Sequence, residues 1–440
     1  MDPMFFSRRH FLARGTQLLS AAATIPLFLD RSAYVMADAH PDTKHSERVL
    51  VVVQLAGGND GLNTVIPVTC DEYYKARPKI AVAKDKALKL TDDFSAHTSA
   101  VGMKKLYDAG HLAILHAVGY PNPNRSHFRS TDIWTSGEPE AVVKSGWLGR
   151  YCDACCAGED PGPGNAPAKK KLPDAATAIA LLGDPPRALI GDNYVAMAFA
   201  SPETLGFQKA NTDAAKAAFD ALNDDPAMAA PRDADHIPPA GASTEDTNAF
   251  LQRSALNARV YADRIRKLAL NTGERGDYPR TAFGQDLKLI AQMIASDLPT
   301  RIYYAKLGGF DTHSGQVGHH DRLLGELFNA LAAFTDDLAA LGHLDRVTTM
   351  TFSEFGRRVK ENGSGTDHGE AAPLFVVGAH LNPGFHGTFP DLVTDKLHRG
   401  DVPYTTDFRC LYATILRDWL NVDDTKILGK PFKRLDLFKA

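Results

Sequence analysis

The sequence is poor in cysteine, in net charge and in long apolar runs. Its 440 residues include 5 cysteines, and 49 Lys and Arg against 53 Asp and Glu give a formal net charge of -4. So few cysteines exclude a fold held by a dense disulfide framework. The balanced charge provides no general positive field for nucleic acid or an anionic membrane. No stretch beyond the N-terminal region is apolar over the roughly 20 residues that a membrane span needs.

Three common sequence motifs of enzymes are also missing. There is no Gly-x-Ser-x-Gly motif, no Walker loop, and no Gly-x-Gly-x-x-Gly after the first predicted strand, which disfavours a Ser-His-Asp esterase and two classes of nucleotide-binding protein. The hydrophobic fraction of 44% and the charged fraction of 23% are typical of a soluble globular protein. The 16 histidines beside few cysteines suit a metal with nitrogen and oxygen ligands better than one with thiolate ligands.

The N-terminal region has the order of an export signal. Positive residues in SRRHFL at 7–12 precede a mostly apolar run at 17–29 and small residues around Ala37. The paired arginines followed by Phe-Leu resemble the twin-arginine signal, which implies passage through the twin-arginine export machinery to the periplasm or the exterior. We therefore expect a signal peptide at 1–37 and a linker at 38–47, with no stable membrane span after cleavage. An uncleaved N-terminal anchor helix is the alternative.

Apolar segments of strand length alternate with helical patterns in the rest of the chain. The predicted strands are 48–55, 111–118, 301–307, 346–352 and 373–377. Apolar residues at spacings of three and four predict helices near 251–265, 283–294 and 324–338. This alternation predicts an α/β three-layer sandwich with a mostly parallel central sheet. We expect one domain at 48–440, with a helical insertion at about 152–272.

Polar residues follow the predicted strands, where open α/β sheets bind their ligands. Asn59 and Asp60 follow the first strand, although Asn-Asp-Gly is also ordinary turn chemistry. Asp311 and His313 follow the third strand, two residues apart, so that an extended chain points both side chains to one side. Carboxylates and imidazoles together suit one or two divalent ions such as zinc, manganese or magnesium. A capping Asp with an incidental His is the alternative for the second pair.

Two further segments supply candidate residues to the same edge. Glu354 follows the fourth strand and either joins a metal site or forms a local ion pair with Arg357 or Arg358. His368 lies between a Gly-Thr-Asp segment and a glycine, in a loop that needs no imidazole for its structure. His320, at the start of a predicted helix, stays open as a further ligand.

Ser126 precedes a predicted helix. A serine there is commonly an N-cap, but the amides and dipole of a helix N-terminus also favour an anion, which Arg125 and Arg129 could grip. A hydroxyl activated by a metal could act as a nucleophile.

Several motifs together resemble a known family. They are LAGGNDGLN at 55–63, GGFDTH at 308–313, TFSEFGR at 351–357, GTDHG at 365–369 and TDFR at 406–409. This set resembles the exported bacterial family called domain of unknown function fifteen-oh-one, which in turn looks like a distant member of the alkaline phosphatase and sulfatase superfamily. Members of that superfamily are similar in having a metal-binding Asp after the first strand, a nucleophile at a helix start, and later Asp and His ligands.

The resemblance implies a set of site residues. The implied metal ligands are Asp60, Asp311, His313, Glu354 and His368. The implied nucleophile is Ser126, with Ser130 or Thr131 as substitutes, and the implied anion-binding residues are Asn59, Asn63, Arg125 and Arg357. The sequence departs from the superfamily in spacing Asp311 and His313 by two residues and in having Ser353-Glu354 where an Asp-His pair is usual. The departures are compatible with a single-metal site, a different ester, or an inactive site.

The expected function is that of an exported metal-dependent hydrolase of a small or glycan-linked phosphate or sulfate ester, with no nucleic acid as partner. The alternative is a non-catalytic envelope protein that uses the scaffold to bind a partner or a glycan. An isomerase that moves phosphoryl groups is a third hypothesis, which the scarcity of phosphorylated metabolites outside the cytoplasm disfavours.

Overall fold

The computed structural model describes residues 48–155, 159–160, 169–170, 175–202, 205, 261–262, 264–270, 276–296 and 298–439. The predicted signal peptide at 1–37 and the linker at 38–47 lie outside these residues, and so does most of the predicted insertion at 152–272. Within the part of the chain that is described, no helix combines the length and the apolar character needed to cross a membrane.

The strands in chain order are as follows. They are β1 (Val49–Ala56), β2 (Val65–Pro67), β3 (Leu88–Lys89), β4 (Phe94–Ala96), β5 (Leu112–Gly119), β6 (Glu159–Asp160), β7 (Lys169–Lys170), β8 (Ala178–Ala180), β9 (Met197–Ala198), β10 (Ile302–Gly308), β11 (Val347–Ser353), β12 (Ala372–Gly378), β13 (Gly384–His386) and β14 (Thr406–Asp407).

The helices in chain order are as follows. They are α1 (Gly61–Thr64), α2 (Asp71–Ala76), α3 (Val101–Asp108), α4 (His127–Ser136), α5 (Trp147–Cys155), α6 (Ala282–Ala295), α7 (Gln316–Ala340), α8 (Phe408–Thr414) and α9 (Asp424–Leu428). A π-helical turn at Ile415–Trp419 continues α8. The helix predicted near 251–265 lies mostly outside the described residues, and 264–270 is helical.

A mixed, mostly parallel sheet forms the middle of the fold. Its strand order is β13-β5-β12-β11-β1-β10-β8-β9, with β14 also paired to β5. β12 runs antiparallel to both of its neighbours, whereas the other pairs in this sheet are parallel. The five predicted strands correspond to β1, β5, β10, β11 and β12. β8 and β9 join the same sheet from within the range that the sequence predicts as an insertion.

Helices cover both faces of the sheet, which confirms the α/β three-layer sandwich. Alternate residues of β1 point to opposite faces, as a strand requires. Val51 and Val53 pack in one core with residues of α6 and α7 such as Leu287 and Leu327. Val52 packs in the other core, which contains aromatic residues of α4, α5 and α8. Because β1 is buried on both faces, it reads as a nearly continuous apolar run.

The antiparallel direction of β12 brings the loop that precedes it to the edge where the neighbouring strands end. The carboxyl ends of β1, β5, β10 and β11 meet at that edge, and the register aligns Ala56 of β1 with Gly308 of β10 and Leu55 with Ser353 of β11. β12 begins at the edge where those strands end, so the loop before it, which contains His368, arrives at the same place. Chain direction thus gathers residues that lie far apart in the sequence.

Candidate functional site

Asp311 is the centre of the polar cluster at this edge. Its Oδ1 lies 3.1 Å from Nε2 of His313 and 3.1 Å from Nε2 of His368. Its Oδ2 lies 3.5 Å from Nε2 of His127, the first residue of α4. Asp311 and His313 meet, as their two-residue spacing predicts, while Thr312 between them is buried and donates to Gln316 instead.

An oxygen atom holds the other ring nitrogen of each histidine. The Nδ1 contacts are His127 to Glu354 Oε1 at 2.7 Å, His313 to Asp367 Oδ1 at 3.1 Å, and His368 to the carbonyl of Arg125 at 2.9 Å. A carbonyl or an ionised carboxylate only accepts hydrogen bonds, so a neutral ring that donates through Nδ1 to these oxygens keeps its lone pair on Nε2. In that tautomer each Nε2 presents a lone pair on the side of Asp311.

The lone pairs are arranged as metal ligands would be. Nε2 of His313 and Nε2 of His368 are 2.9 Å apart, a separation at which two lone pairs repel unless a cation lies near both. Nε2 of His127 makes no hydrogen bond to a described residue. Ligand atoms of His127, Asp311 and His368 all lie within 4.8 Å of one another. Donors about 3.3 Å apart surround a tetrahedral zinc ion with bonds of about 2.0 Å. The donor set therefore fits a divalent metal.

The charge of Asp311 is secured by Arg357. Nη2 of Arg357 donates to Asp311 Oδ1 at 2.6 Å. Burial tends to raise the pKa of Asp311, but the hydrogen bond and the positive charge of Arg357 outweigh it, so that pKa lies below its ordinary value. The side chain of Asp311 is 48% exposed while that of Arg357 is fully buried. The carboxylate is thus ionised and still reachable from solvent.

Most of the hydrogen bonds that Arg357 donates go to backbone carbonyls of the loops around the site. It donates to the carbonyls of Gly58 at 2.8 Å, Thr366 at 2.8 Å and Phe310 at 3.0 Å, and also to that of Gly57. These bonds tie the loops after β1, β10 and β11 together. The predicted role of Arg357 in gripping a substrate anion stays a prediction, and the contacts that exist are structural.

Glu354 contacts His127 rather than Asp311, the centre of the cluster. It is buried, and its Oε1 accepts from Nδ1 of His127 at 2.7 Å and from the amide of Gly57 at 2.8 Å. A carboxylate behind a histidine fixes the ring and raises its basicity, as is common around protein-bound metals. Its Oε2 accepts no hydrogen bond from a described residue.

Gly57 is required where the first two loops cross. Its φ is +122°, and a Cβ there would lie 2.3 Å from the amide nitrogen of Asp311. Only glycine combines that backbone conformation with so close an approach. The double glycine at 57–58 thus allows Asp311 to lie directly against the loop that follows β1.

Ser126 lies at the N-cap position of α4 between two residues of the cluster. The carbonyl of Arg125 holds His368, and His127 faces Asp311. Ser126 is exposed, and its side chain makes no capping hydrogen bond. Ser130, one of its predicted substitutes, is buried and bonded to Tyr120 OH at 2.7 Å. Thr131, the other substitute, is half-buried.

Asp60 belongs to a separate, buried network. Its Oδ2 accepts from Nη1 of Arg77 at 2.6 Å and from Nε2 of Gln316, and both members of the ion pair are fully buried. Burial tends to raise the pKa of Asp60, but the charge and the hydrogen bond of Arg77 lower it by more. The pKa of Asp60 therefore lies below its ordinary value. Oδ1 of Asp60 accepts no hydrogen bond within the described chain.

Asn59 and Asn63 are buried in the same network. Oδ1 of Asn63 accepts from Arg77 Nη1 at 2.7 Å and from Tyr73 OH at 2.9 Å. Oδ1 of Asn59 accepts from His320 Nε2 at 3.0 Å. The structure therefore places these two predicted anion-binding residues, with Asp60, among internal partners. Burial lowers the pKa of His320 to about 3, so this ring is neutral at physiological pH.

Arg125, the remaining predicted anion-binding residue, is also paired. Its Nη2 donates to Asp401 Oδ2 and lies 3.7 Å from Glu370 Oε1. Of the predicted ligands, the structure brings together Asp311, His313 and His368, with Glu354 behind them. His127 is missing from the predicted ligands, although it lies eight residues after β5 and beside Ser126, in the polar segment that follows the second strand.

The family model described as Protein of unknown function (DUF1501) matches residues 47–435, and the chain therefore belongs to that family. No curated protein matches the sequence.

Solved structures similar to this chain include members of the superfamily that its motifs resemble. A protein in the alkaline phosphatase superfamily from Vibrio parahaemolyticus is 9% identical, with a TM-score of 0.36, over 92% of this chain and 78% of that one. The lipoteichoic acid synthase LtaP from Listeria monocytogenes is 10% identical, with a TM-score of 0.36, over 91% of this chain and 80% of that one. Alkaline phosphatase from the Antarctic bacterium TAB5 is 8% identical, with a TM-score of 0.26, over 76% of this chain and 92% of that one. Similarities this weak assign no activity to the chain.

Proposed function

We propose that this member of the DUF1501 family is an exported, metal-dependent hydrolase of phosphate or sulfate esters. The observation that carries the proposal is the convergence of the Nε2 atoms of His127, His313 and His368 on the carboxylate of Asp311. Each ring already has its other nitrogen held by an oxygen, so the lone pairs are oriented before any metal arrives. Such preorganisation is expected of a metal centre and has no evident use in packing.

His127, Asp311 and His368 would hold the ion, with His313 as a fourth donor. Nitrogen ligands favour zinc over magnesium, because magnesium prefers an all-oxygen octahedral shell. When bound, a divalent metal polarises an ester oxygen and eases deprotonation of a nearby hydroxyl. Asp60 is already neutralised by Arg77, so the contacts favour one ion over two.

Ser126 is the proposed nucleophile. Its hydroxyl is exposed, and its two neighbours in the chain both reach the histidine cluster through their own contacts. The first amides of α4 lack partners within the helix and can donate to the oxygens of a bound anion. His127, held by Glu354, keeps the start of α4 against Asp311. These contacts support a site in which the Ser126 hydroxyl, the start of α4 and the ligand set act together.

The test combines metal analysis with an ester panel. The full-length protein is purified, its metal content measured, and hydrolysis assayed with 4-nitrophenyl phosphate, bis(4-nitrophenyl) phosphate and 4-nitrocatechol sulfate. We expect about one equivalent of a divalent metal and turnover of at least one ester, lost on chelation. Protein that binds no metal and hydrolyses none of the esters would contradict the proposal and favour a non-catalytic scaffold.

Ser126→Ala is expected to lower kcat on the order of a thousandfold or more. Ser130→Ala is the matched control on the same helix. It removes a buried hydroxyl, so it should lower stability but retain activity per folded molecule. A larger loss of kcat in Ser130→Ala than in Ser126→Ala would overturn the choice of nucleophile.

A further inference from the structure

A polar pocket of about 480 Å³ opens beside the histidine cluster. It is lined mainly by Asn122, Asn124, Arg125, Glu370 and Arg399, together with His398. Two of these residues adjoin the proposed metal site, since the carbonyl of Arg125 holds His368 and Glu370 follows His368 by two positions. The volume falls within the roughly 300–1,000 Å³ of typical small-molecule sites. Nothing in the hydrolytic mechanism above uses this pocket.

Two residues of the lining keep a side chain at a strained backbone position. Asn122 has a φ of +54° and Arg399 a φ of +57°. In the described residues, positive φ outside glycine occurs at four positions: Ala117, Asn122, Arg399 and Asn421. Asparagine tolerates this region, whereas an arginine there is uncommon. Strain of this kind gathers at ligand sites, because glycine would otherwise be the stable choice.

The turn that carries Arg399 shows why glycine would fit there. His398 and Asp401 exchange backbone hydrogen bonds of 3.1 and 3.0 Å. The two residues between them, Arg399 and Gly400, both have positive φ, the pattern of a type I′ turn. Asparagine and glycine are the residues that such a turn prefers. The arginine therefore destabilises the backbone of this turn, and no contact within the turn compensates for it.

The other arginines at the pocket are paired with carboxylates, so Arg399 is the cation that can contact a ligand. Arg125 is paired with the fully buried Asp401, and Arg358 Nε lies 3.5 Å from the other oxygen of Asp401. Burial raises the pKa of Asp401 to about 6, although Arg125 opposes this rise. The guanidinium of Arg399 is exposed and has no hydrogen bond or ion pair with a described residue. One positive group thus faces solvent beside internally balanced charges.

The remaining lining offers both donors and acceptors of hydrogen bonds. The amides of Asn122 and Asn124 can do both. Glu370 accepts from His398 Nδ1 with each oxygen at 2.8 Å and keeps further lone pairs. A ligand rich in hydroxyl groups satisfies such a surface, and an anionic substituent on it would meet Arg399.

We propose that this pocket binds an anionic carbohydrate, a sugar that carries a phosphate or sulfate group, as the alcohol part of the substrate. That the carbohydrate is part of the substrate rests on the proposed hydrolase function. That the pocket binds it does not. The pocket then determines which ester is presented to the histidine cluster, and Arg399 contributes affinity for the charged group.

The experiment measures binding by isothermal titration calorimetry with the full-length protein as purified. The probes are glucose 6-sulfate, glucose and inorganic sulfate. We expect glucose 6-sulfate to bind more tightly than either fragment, and Arg399→Gly to weaken that binding roughly tenfold, the loss expected for a hydrogen bond to a charged group. Asn122→Gly should weaken binding of glucose 6-sulfate as well.

The variants are chosen so that loss of folding does not explain the result. Glycine suits the positive φ of Arg399 and Asn122, and the strain it relieves roughly offsets the entropy it adds to the unfolded chain, so both variants should unfold within a few degrees of the wild-type protein. Asn421→Gly is the matched control, since it relieves the same strain, at a φ of +55°, outside the pocket. It should bind glucose 6-sulfate as the wild-type protein does.

Three results would overturn the proposal. They are the absence of measurable binding of glucose 6-sulfate, equal affinity for inorganic sulfate or for glucose, and unchanged affinity in Arg399→Gly. Heat of binding does not depend on turnover. If glucose 6-sulfate binds as expected while no ester is hydrolysed, the proposed hydrolase function fails and the carbohydrate site stands.

Discussion

Asp60 and Asp311 follow neighbouring parallel strands at the same edge of the sheet, and their surroundings differ in nearly every respect. Asp60 is fully buried and paired with the equally buried Arg77. Asp311 is 48% exposed and faces three imidazoles as well as Arg357. A carboxylate that is neutralised in the interior mainly stabilises loops, whereas one that stays open among imidazole nitrogens can take a cation. The difference identifies which Asp is available for chemistry.

The largest expected effect comes from breaking the buried pair. Arg77→Met leaves the Asp60 carboxylate buried with Gln316 as its remaining donor, and loss of one partner of a buried ion pair costs about 3–5 kcal/mol. We expect the free energy of unfolding in urea at pH 7 to fall by that amount. The double variant Arg77→Met with Asp60→Asn should recover part of the loss, because no charge then stays buried. A loss below about 1 kcal/mol in Arg77→Met would show that Asp60 is not held by this pair.

The second effect concerns Asp311 and the binding of metal. Asp311→Asn removes the proposed anionic ligand and is expected to weaken zinc binding by about a hundredfold. Because asparagine still offers an oxygen to the buried Arg357 but removes its charge partner, stability in the presence of a chelator should fall by about 1–2 kcal/mol. Competition with a zinc indicator gives the affinity, and Asp108→Asn, on the surface of α3, is the control. If Asp311→Asn bound zinc as tightly as the wild-type protein, Asp311 would not be a zinc ligand.

The third effect is a pH dependence that belongs to the buried region. The folded-state pKa of His320 is about 3, against 6.5 as its ordinary value, because burial disfavours the charged ring. The unfolded chain therefore takes up a proton first, and stability falls as pH decreases from 6.5 toward 3. His320→Gln, which can still donate to Asn59, should reduce the loss of stability between pH 7 and pH 5 by about 2 kcal/mol.

His319 provides a matched control for that measurement. It is the neighbour of His320 on α7 and is exposed. Urea unfolding of His319→Gln should show the same acid dependence as the wild-type protein. If His320→Gln and His319→Gln behave alike, His320 is not the group whose protonation destabilises the fold.

Patterns within single segments explain what prediction from sequence achieved. β1, β5, β10, β11 and β12 were predictable because each is a compact apolar run, and the stripes of α6 and α7 have helical spacing. The edge of the sheet that carries the candidate site was also predictable, because polar residues come after those strands in the sequence. Asp311 and His313 were predicted together because two residues in extended chain share a side.

Contacts between distant segments explain what such prediction could not reach. Arg77 lies in the turn after α2, and nothing in its local sequence indicates that it reaches Asp60. Glu354 and His127 are separated by 227 positions, so the role of Glu354 as a support for an imidazole depends on how two loops cross. Which Asp is buried depends on the same packing.

The sequence by itself determined the layered α/β fold, the edge that carries the polar residues and the residue types available there, because periodicity and strand ends are local properties. The tertiary structure decided which of those residues meet. It paired Asp60 with Arg77, turned the Nε2 atoms of three histidines toward Asp311, and left Arg399 without a side-chain partner among the described residues beside a polar pocket. Burial, charge pairing and ring orientation arise only when separate loops pack against one another.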